Sequence, residues 1–464
     1  MKAHLDFETR SELDLRVVGA WKYAMHPSTE IMCATLHEPG CRPELFRREQ
    51  VRELARLDLG QTIISAHNAA FEFAVWHCIV HKRFGGQKRS DPALWSCTMA
   101  RAAMVGLPLD LDSLGRVLHI KTPKDLEGRR IMLPLCKPRG YDALGEAIWD
   151  ETPEKYERLY VYNGVDVQAE EEIDPLLPDQ PPSEKRIWDL DLIANARGVA
   201  VDLDVCRKAS ALAGALTLDL NARLRELTGG AVAKATQTAA LKIYIKSQGV
   251  AIPTKEDKDG EIKETVDKAA ILGLLSDDSV PKNVRDVVTI RQQVGKSSTA
   301  KYVKAIDTAG PDGRVRGVLQ YHAAHTGRWG GRLIQPQNYP KGFDEKTQPG
   351  EQERCVKLLD EPDLFMLQYG DRSMEALSDL LRGTIVAGPG KVLISADYNA
   401  IEARVLMWLA DEQNALAAYR RGDSPYVDLA RTIYNNPSIT KKTHPKEYDL
   451  GKRAFLGYGY GMPA

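Results

Sequence analysis

The sequence has few of the features that assign a protein to a class at once. Its seven cysteines include no CxxC pair, and their odd number argues against a disulfide framework. No apolar run approaches the roughly 20 residues of a membrane-spanning helix. Carboxylates begin at Asp6, which leaves no room for a signal peptide. We therefore expect a protein of a reducing cytoplasm that makes no contact with membranes.

Net charge is also scarce, because 63 basic residues nearly balance 64 acidic ones. This balance does not indicate a nucleic-acid-binding protein, but a basic groove can be offset by an acidic surface elsewhere. The composition is ordinary for a globular protein, and there is no internal repeat or low-complexity segment. A chain of 464 residues exceeds what one core organises, so we expect about two to four domains.

The first chemical signal is a pair of acids on a predicted strand. Residues 2–9 favour a strand, and Asp6 and Glu8 then lie on the same face because strand side chains alternate. Two neighbouring carboxylates repel each other unless a cation lies between them. The alternative is an edge strand whose acids are exposed to solvent.

Two further acidic motifs follow. Residues 62–72 predict a buried strand that runs into a helix, with Glu72 near the helix start. Residues 160–170 predict a helix with Tyr162 and Asp166 one turn apart on one face. Three acidic motifs in this order, ending in YxxxD, resemble the DnaQ-like 3′-5′ exonucleases of the DEDDy type. That family has an RNase H-like α/β fold.

The intervening sequence extends this resemblance over most of residues 1–180. Segments 95–102, 113–114 and 124–132 are similar to the exonuclease portion of phage polymerases. The chemistry of phosphodiester hydrolysis requires a hydroxide and charge compensation, which two metal ions about 4 Å apart can supply.

The resemblance implies a role for each member of the acidic motifs. Asp6, Glu8 and Asp166 are expected to hold two Mg²⁺ ions, with Mn²⁺ as the substitute, and Tyr162 to orient the attacking water. Glu72 stands where the family usually has aspartate. Either its longer side chain reaches a water in the outer coordination sphere, or the site is attenuated.

A linker and a helical region come next. Proline-rich residues 174–183 predict the linker. Residues 188–202 then predict a helix, a glycine stop and a short strand, which is similar to the entry into family A DNA polymerase domains. Periodicity predicts four further helices, at 205–227, 238–248, 267–275 and 284–306.

A second group of motifs begins at residue 392. Val392–Ser395 predicts a buried strand, and the apolar positions from Ile401 have helical spacing, so Asp397 lies at a strand-to-helix junction suited to a divalent cation. The alternative is a helix N-cap. The run from Asp397 to Arg404 resembles motif A of family A DNA polymerases, the group that includes bacterial DNA polymerase I and many phage replicases.

Motif B follows near residue 452, in a segment that resembles the O-helix of the same family. The resemblance implies that Asp397 binds catalytic Mg²⁺ and that Glu402 closes over the sugar of the nucleotide. The expected nucleotide-binding residues are Tyr398, Glu402, Lys452 and Tyr460. Tyr448 stands where the family usually has arginine, and Leu456 where many members have an aromatic residue.

A third segment resembles the part of the palm that follows the primer terminus. It runs from Thr326-Gly-Arg328 to Gln337-Asn338, and the resemblance implies that Arg328, Gln337 and Asn338 contact DNA. Arginine can donate to minor-groove acceptors that nearly all base pairs share. The basic helix containing Lys301 suits phosphate contacts. The alternatives are a surface arginine in a glycine-rich turn and an ordinary exposed helix face.

The family's third motif, His-Asp-Glu, occurs nowhere in the sequence. We therefore expect a truncated or split polymerase whose missing segment a second polypeptide could carry. The predicted fold class is α/β (α+β), an RNase H-like exonuclease followed by a helical thumb and a partial right-hand polymerase. The predicted domains are exonuclease 1–180, polymerase entry and thumb 181–310, partial palm 311–411 and partial fingers 412–464.

The functional hypothesis is a family A DNA polymerase with a proofreading 3′-5′ exonuclease, acting in replication in the cytosol of a phage-infected or prophage-carrying bacterium. Its expected partners are primer-template DNA, single-stranded 3′ ends and dNTPs. Two alternatives stay open. One is a separate exonuclease that keeps a polymerase remnant as a DNA clamp, and the other is a non-catalytic DNA-binding subunit in which Glu72 marks a decayed nuclease.

Overall fold

A computed structural model describes residues 1–257, 260–295, 297–324, 326–459 and 461 of the chain. The chain divides into two compact units, residues 1–390 and residues 391–464. Within the first unit, a mixed sheet with surrounding helices is followed by a mainly helical part. The second unit contains helices and irregular segments.

A five-stranded sheet organises the amino-terminal part, in the order β3-β2-β1-β4-β5. The central strand β1 pairs antiparallel with β2 and parallel with β4, so the exposed edge strand considered for Asp6 and Glu8 is wrong. A central strand is paired on both sides, and its faces are covered by helices. The strands are β1 (Lys2–Arg10), β2 (Glu30–His37), β3 (Glu44–Phe46), β4 (Ile63–Ala66) and β5 (Trp95–Cys97).

Helices pack on the sheet around a core that includes Leu5, Phe73, Trp76 and Trp95. One π-helical segment, Trp76–His81, directly continues α2. The helices are α1 (Leu15–Met25), α2 (Ala69–Val75), α3 (Thr98–Met104), α4 (Leu111–Val117), α5 (Leu126–Leu135) and α6 (Pro153–Ile173), and a small hairpin consists of β6 (Gly140–Tyr141) and β7 (Ala147–Ile148).

The proline-rich linker is short and lies between a 3₁₀ turn and the next helix. A 3₁₀ turn at Asp174–Leu176 precedes α7 (Pro182–Arg197), which begins at a proline, as helices often do because the missing N–H is not needed there. Gly198 ends α7 with a φ of 66°, and β8 (Val199–Ala200) follows, as predicted. Trp188 of α7 is buried in the core of the five-stranded sheet.

The next part is helical, as its periodicity predicts. Three of the four predicted helices are confirmed, but the helix expected at 284–306 is wrong, because α11 ends before Gly295 and α12 starts at Ala300. Glycine in a helix interior costs about 1 kcal/mol relative to alanine, which favours the break. The elements are α8 (Leu203–Leu227), α9 (Thr238–Ser247), β9 (Thr254–Glu256), β10 (Ile262–Glu264), α10 (Lys268–Ser276), α11 (Lys282–Val294) and α12 (Ala300–Thr308).

The first unit closes with short strands and helices around a second core, which includes Leu224, Tyr302, Phe365 and Leu377. Strands β12 and β13 form an antiparallel hairpin whose loop contains Arg328. The elements are β11 (Arg314–Val315), β12 (Leu319–Gln320), β13 (Gly330–Gly331), α13 (Glu351–Leu358), α14 (Pro362–Tyr369) and α15 (Ser373–Leu380).

The second unit has a small core centred on Ala403, Tyr419 and Tyr426. Its helices are α16 (Ile401–Leu409), α17 (Gln413–Arg421), α18 (Pro425–Tyr434) and α19 (Pro445–Gly459). Measured by length and hydropathy, every described helix of the chain falls short of a membrane span.

The buried strand predicted at Val392–Ser395 is wrong. This segment has no regular secondary structure, and Val392 and Ile394 are 80% and 90% exposed. A strand satisfies its backbone hydrogen bonds only through neighbouring strands, and the described residues pair none with this segment. An apolar run therefore does not become a strand here.

Candidate functional site

Three carboxylates from distant parts of the sequence converge at the centre of the sheet. Asp6 and Glu8 project from one face of β1, and Asp166 projects from α6, which packs beside it. One oxygen from each of the three carboxylates lies within 4.8 Å of the others. In the part of the chain that the structure describes, this is the one group of three such side chains that could hold a metal ion.

Burial and mutual repulsion make this cluster unfavourable in its ionised form. Burial, and then the nearby Asp166 carboxylate, raise the pKa of Asp6 from 3.8 to about 7. Burial, and then Asp6, hold the pKa of Glu8 well above its ordinary value. A divalent cation would remove the repulsion and favour the charged carboxylates.

Glu72 faces the same cluster. It lies in the first turn of α2 and is 3% exposed, and burial followed by the charge of Asp6 raises its pKa well above the ordinary value. Its Oε2 atom and the Oδ1 atom of Asp166 are buried without a hydrogen-bond partner among the described residues. Buried polar atoms are nearly always paired, so these two oxygens suit a cation or its bound water.

Tyr162 lies one turn before Asp166 on α6 and is buried. Burial, and then the charge of Asp166, raise its pKa, so the phenol stays protonated and can donate a hydrogen bond. Helix α5 approaches the ring closely, because a Cβ added to Gly128 would lie 2.6 Å from Tyr162 Cδ2. The absence of a side chain at Gly128 therefore lets α5 fix the ring.

Two polar side chains at the cluster were missed by the sequence reasoning. Asn163 Nδ2 donates to Asp6 Oδ2 at 2.6 Å. Lys124 Nζ donates to Asp166 Oδ2 at 3.1 Å. The sequence offered only local signals for these two residues. Asn163 directly follows the predicted site residue Tyr162. Lys124 directly precedes Asp125, the N-cap residue of α5, and the Asp125 side chain accepts a hydrogen bond from Gly128 N.

The inner face of α6 continues the polar contacts beyond the cluster. Glu170 lies one turn after Asp166 and accepts a hydrogen bond from Ser65 Oγ at 2.9 Å. Asp174, just after α6, accepts from Lys2 Nζ at 2.8 Å and from Arg101. These contacts join α6 to β1, β4 and α3, which fixes the position of Asp166 relative to the strand acids.

The predicted DNA-binding residues of the first unit lie along adjoining loops. Arg328 is exposed in the β12–β13 loop, and Gln337 and Asn338 form a short helical turn. Gly331 of β13 packs so tightly against Gln337 that an added Cβ would collide with its side-chain amide. The loops of Arg328 and Gln337 are therefore neighbours.

Lys301, on α12, contacts the loop that contains Gln337 and Asn338. Its Nζ donates to the carbonyl oxygens of Gln335 and Asn338, each at 3.4 Å, and lies 4.9 Å from the centre of the Tyr339 ring. Partial burial lowers its pKa. Lys301 thus supports the loop of Gln337 and Asn338, and its predicted phosphate contact stays a prediction.

The motif residues of the second unit are exposed. Asp397, Tyr398, Glu402 and Lys452 all face solvent. The N-cap alternative for Asp397 is wrong, because Ala400 occupies that position of α16. An N-cap must directly precede the first helical residue, and Asp397 lies too far upstream. Asp397 belongs to no group of three potential metal ligands among the described residues.

The helices of motifs A and B nevertheless pack together. Gly459 of α19 lies so close to Leu406 of α16 that an added Cβ would collide with the leucine. Tyr448 packs edge-on against Tyr426, with ring centres 6.4 Å apart, so it contributes to the core of the unit. Tyr460, a predicted nucleotide-binding residue, lies outside the described residues.

A cleft of about 410 Å³ opens in the first unit between the sheet, α7 and the β12–β13 hairpin. Its lining includes Phe71 on α2, the helix of Glu72, together with Trp188 and Tyr321. Asn68 adds a polar group at the start of α2. Trp188 and Tyr321 are buried, so Phe71 is the partly exposed ring among these three, on the helix that carries Glu72.

Comparisons with known proteins give a consistent picture. The chain is 32% identical to the DNA polymerase of Bacillus phage SP02 over 98% of its own length and 68% of the phage protein. A segment covering 19% of the chain is 32% identical to the thermostable DNA polymerase I of Thermus filiformis, of which it covers 10%. No protein-family model matches.

A solved structure supports the same fold. The POL domain of Pol1 from M. smegmatis, in complex with DNA primer-template and dNTP, is similar with a TM-score of 0.57 and 17% identity. The similarity covers 94% of this chain and 65% of the mycobacterial one. The chain therefore spans about two thirds of the length of the phage polymerase and of the mycobacterial chain.

Proposed function

The chain belongs to the phage-type family A DNA polymerases, and from this premise we propose that its acidic cluster is a 3′-5′ exonuclease site that proofreads DNA during replication. The observation that carries the proposal is the convergence of Asp6, Glu8 and Asp166 in one cluster, where burial raises the pKa values of Asp6 and Glu8. Such a cluster is costly to fold without a cation, and two-metal hydrolysis requires this arrangement of oxygens. The sheet-containing part, 1–180, is the proposed exonuclease domain.

The donor set fits a divalent ion, because carboxylate oxygens are preferred by Mg²⁺ and Mn²⁺ and two of them have no other partner among the described residues. Bound to Asp6, Glu8 and Asp166, two such ions would supply a hydroxide near neutral pH and compensate charge on the phosphate. Glu72 is the proposed holder of a water beyond these ligands. Asn163 keeps Asp6 oriented by its hydrogen bond.

Two further side chains act on the substrate in this proposal. The Tyr162 phenol, held by α5 and protonated, donates a hydrogen bond that orients the attacking water. The Lys124 ammonium beside Asp166 adds positive charge where the scissile phosphate would bind. Both groups are fixed by their neighbours before substrate arrives, so little reorganisation is needed.

The proposed substrate of this site is a single-stranded DNA 3′ end. Phe71, the residue before Glu72 on α2, lines the cleft and is partly exposed, and a flat aromatic surface suits unstacked bases of any sequence. Base–aromatic stacking of this kind contributes about 1–3 kcal/mol per base. A melted primer end, which has lost its pairing, is therefore the preferred form.

The remaining motifs support a polymerase role with primer-template DNA and dNTPs as substrates. Arg328, Gln337 and Asn338 are the proposed duplex contacts, with the thumb at 181–310 and the palm at 311–411. The proposed nucleotide site, which extends into the fingers at 412–464, comprises Asp397, Tyr398, Glu402, Lys452 and Tyr460.

The test is a gel assay of the purified chain on a 5′-labelled primer-template with Mg²⁺, with and without dNTPs. We expect the primer to shorten in the lane without dNTPs, because Asp6, Glu8 and Asp166 converge in one cluster. Lengthening of the primer with dNTPs would support the proposed nucleotide site. An unchanged primer in both lanes would contradict the exonuclease and favour a non-catalytic DNA-binding subunit.

A further inference from the structure

Helix α7 has one face in the sheet core and another on the β12–β13 hairpin. Trp188 and Leu192 are buried with the core of the five-stranded sheet. Asp191 and Asn195, one turn apart, point instead to the hairpin that presents Arg328. Both polar residues are nearly inaccessible to solvent, at 5% and 6% exposure, so their contacts are not ordinary surface contacts.

Asn195 holds the first strand of the hairpin. Its Oδ1 accepts from the Leu319 N–H at 2.9 Å, and its Nδ2 donates to the Leu319 carbonyl at 3.0 Å. The side-chain amide therefore pairs with β12 as a neighbouring strand would. The same Nδ2 donates to Asp191 Oδ2 at 3.1 Å, which fixes both side chains relative to each other.

Asp191 holds the other side of the hairpin. Its Oδ1 accepts from the Trp329 indole N–H at 2.8 Å, and Trp329 lies between Arg328 and the first residue of β13. Burial raises the pKa of Asp191 to about 6, although both hydrogen bonds favour the charged form. Burying a carboxylate is unfavourable unless its oxygens accept hydrogen bonds. Both oxygens of Asp191 do so, one from Trp329 and one from Asn195.

A third contact lies one helical turn before Trp188. Tyr321, the residue after β12, donates its hydroxyl to Glu184 Oε1. Glu184, Asp191 and Asn195 thus contact the hairpin at its loop start, at Trp329 and at Leu319. The contacts therefore hold the first strand and both ends of the loop from the same helix.

We propose that Asp191 and Asn195 are positioning residues for primer-template binding, which act by fixing the β12–β13 hairpin so that Arg328 meets the duplex. This inference rests on the proposed DNA contacts of Arg328. In this proposal the orientation of the hairpin depends on α7, whose other face packs in the core of the five-stranded sheet. A loop restrained in its binding geometry loses less conformational freedom on binding, which strengthens affinity.

The experiment measures the dissociation constant of the full chain for a fluorescent primer-template duplex, in EDTA so that nothing is hydrolysed. Asp191→Leu removes both acceptors, Trp329→Phe removes only the indole donor, and Asp191→Asn keeps one acceptor. Asp189→Asn is the matched control, since Asp189 lies on the same helix but pairs with Lys185.

We expect Asp191→Leu and Trp329→Phe each to weaken duplex binding about tenfold, which corresponds to 1.4 kcal/mol. The double variant should bind no more than about twofold more weakly than Asp191→Leu, because both changes break the same contact. Asp191→Asn should recover most of the affinity, and Asp189→Asn should match the unchanged protein.

Unchanged duplex affinity in Trp329→Phe, or additive losses in the double variant, would overturn the proposal. If Asp191→Leu does not fold, Trp329→Phe decides it by itself. If the unchanged protein binds no duplex, the proposed DNA contacts fail. The hairpin restraint is then tested by trypsin cleavage after Arg328, which Trp329→Phe should accelerate, and an unchanged cleavage rate would reject it.

Discussion

The acidic cluster of the sheet and the acidic motif near residue 397 were equally clear in the sequence, but their structures differ. Asp6, Glu8 and Asp166 are brought together by a central strand and a long helix, and burial together with the neighbouring carboxylates raises the pKa values of Asp6 and Glu8. Asp397 lies exposed in an irregular segment. A sequence motif identifies the residue types of a site, whereas the pKa values of its side chains depend on their burial and on which other charges lie nearby.

The difference follows from what supports each carboxylate. Asp6 projects from a strand that is paired on both sides, and Asp166 from a helix tied to the sheet by Glu170. The segment at 392–395 has no partner strand among the described residues, so Asp397 lacks the strand support that Asp6 has. The comparison predicts that changes in the cluster alter both chemistry and stability.

The largest expected effect comes from Asp6→Asn. We expect the rate of 3′-end hydrolysis on single-stranded DNA to fall about a hundredfold or more, since several kcal/mol of charge stabilisation depend on the ligand set. Glu12→Gln, an exposed acid just beyond the same strand, is the control and should retain the rate. If the hydrolysis rate of Asp6→Asn lies within about tenfold of the control rate, the cluster is not the nuclease site.

A smaller effect is expected from Lys124→Met, which removes the ammonium and keeps the apolar stem. We expect the hydrolysis rate near pH 7 to fall about tenfold through loss of charge at the phosphate. Because Lys124 lowers the pKa values of Asp6 and Glu8, its loss should also move the acidic limb of the pH–rate profile upward. An unshifted profile would mean that Lys124 lies too far from the reacting groups to influence them.

The smallest expected effect is on stability. The pKa of Asp6 is raised from 3.8 to about 7 in the folded chain, so the folded state binds more protons than the unfolded state between these values. Stability from this group is complete below about pH 4 and is lost as the pH rises through about 7. In EDTA, Tm should therefore be a few degrees lower at pH 7.5 than at pH 5.5.

Magnesium should reduce this loss, because a bound cation favours ionised carboxylates in the folded state. Asp6→Asn should flatten the dependence of Tm on pH in EDTA, whereas Asp397→Asn should leave it as in the unchanged protein, since Asp397 is exposed. An equal flattening by both substitutions would break the comparison between the two regions.

The local elements and the motif order can be read from the amino-acid sequence alone. Strand β1, the β4–α2 passage, helix α6 and three of the four later helices follow from periodicity and capping, which depend on near neighbours. The resemblance to family A DNA polymerases was also readable from contiguous residues and is confirmed by the phage relative. Such signals need no knowledge of packing.

Which side chains contact one another is known only from the folded structure. It brought Lys124 and Asn163 to the acidic cluster, buried Glu72 beside it, and placed Asp191 and Asn195 on the hairpin. It also left Val392–Ser395 exposed where apolar composition predicts a buried strand. Burial, strand pairing and pKa shifts depend on residues far apart in the chain, so no local pattern can specify them.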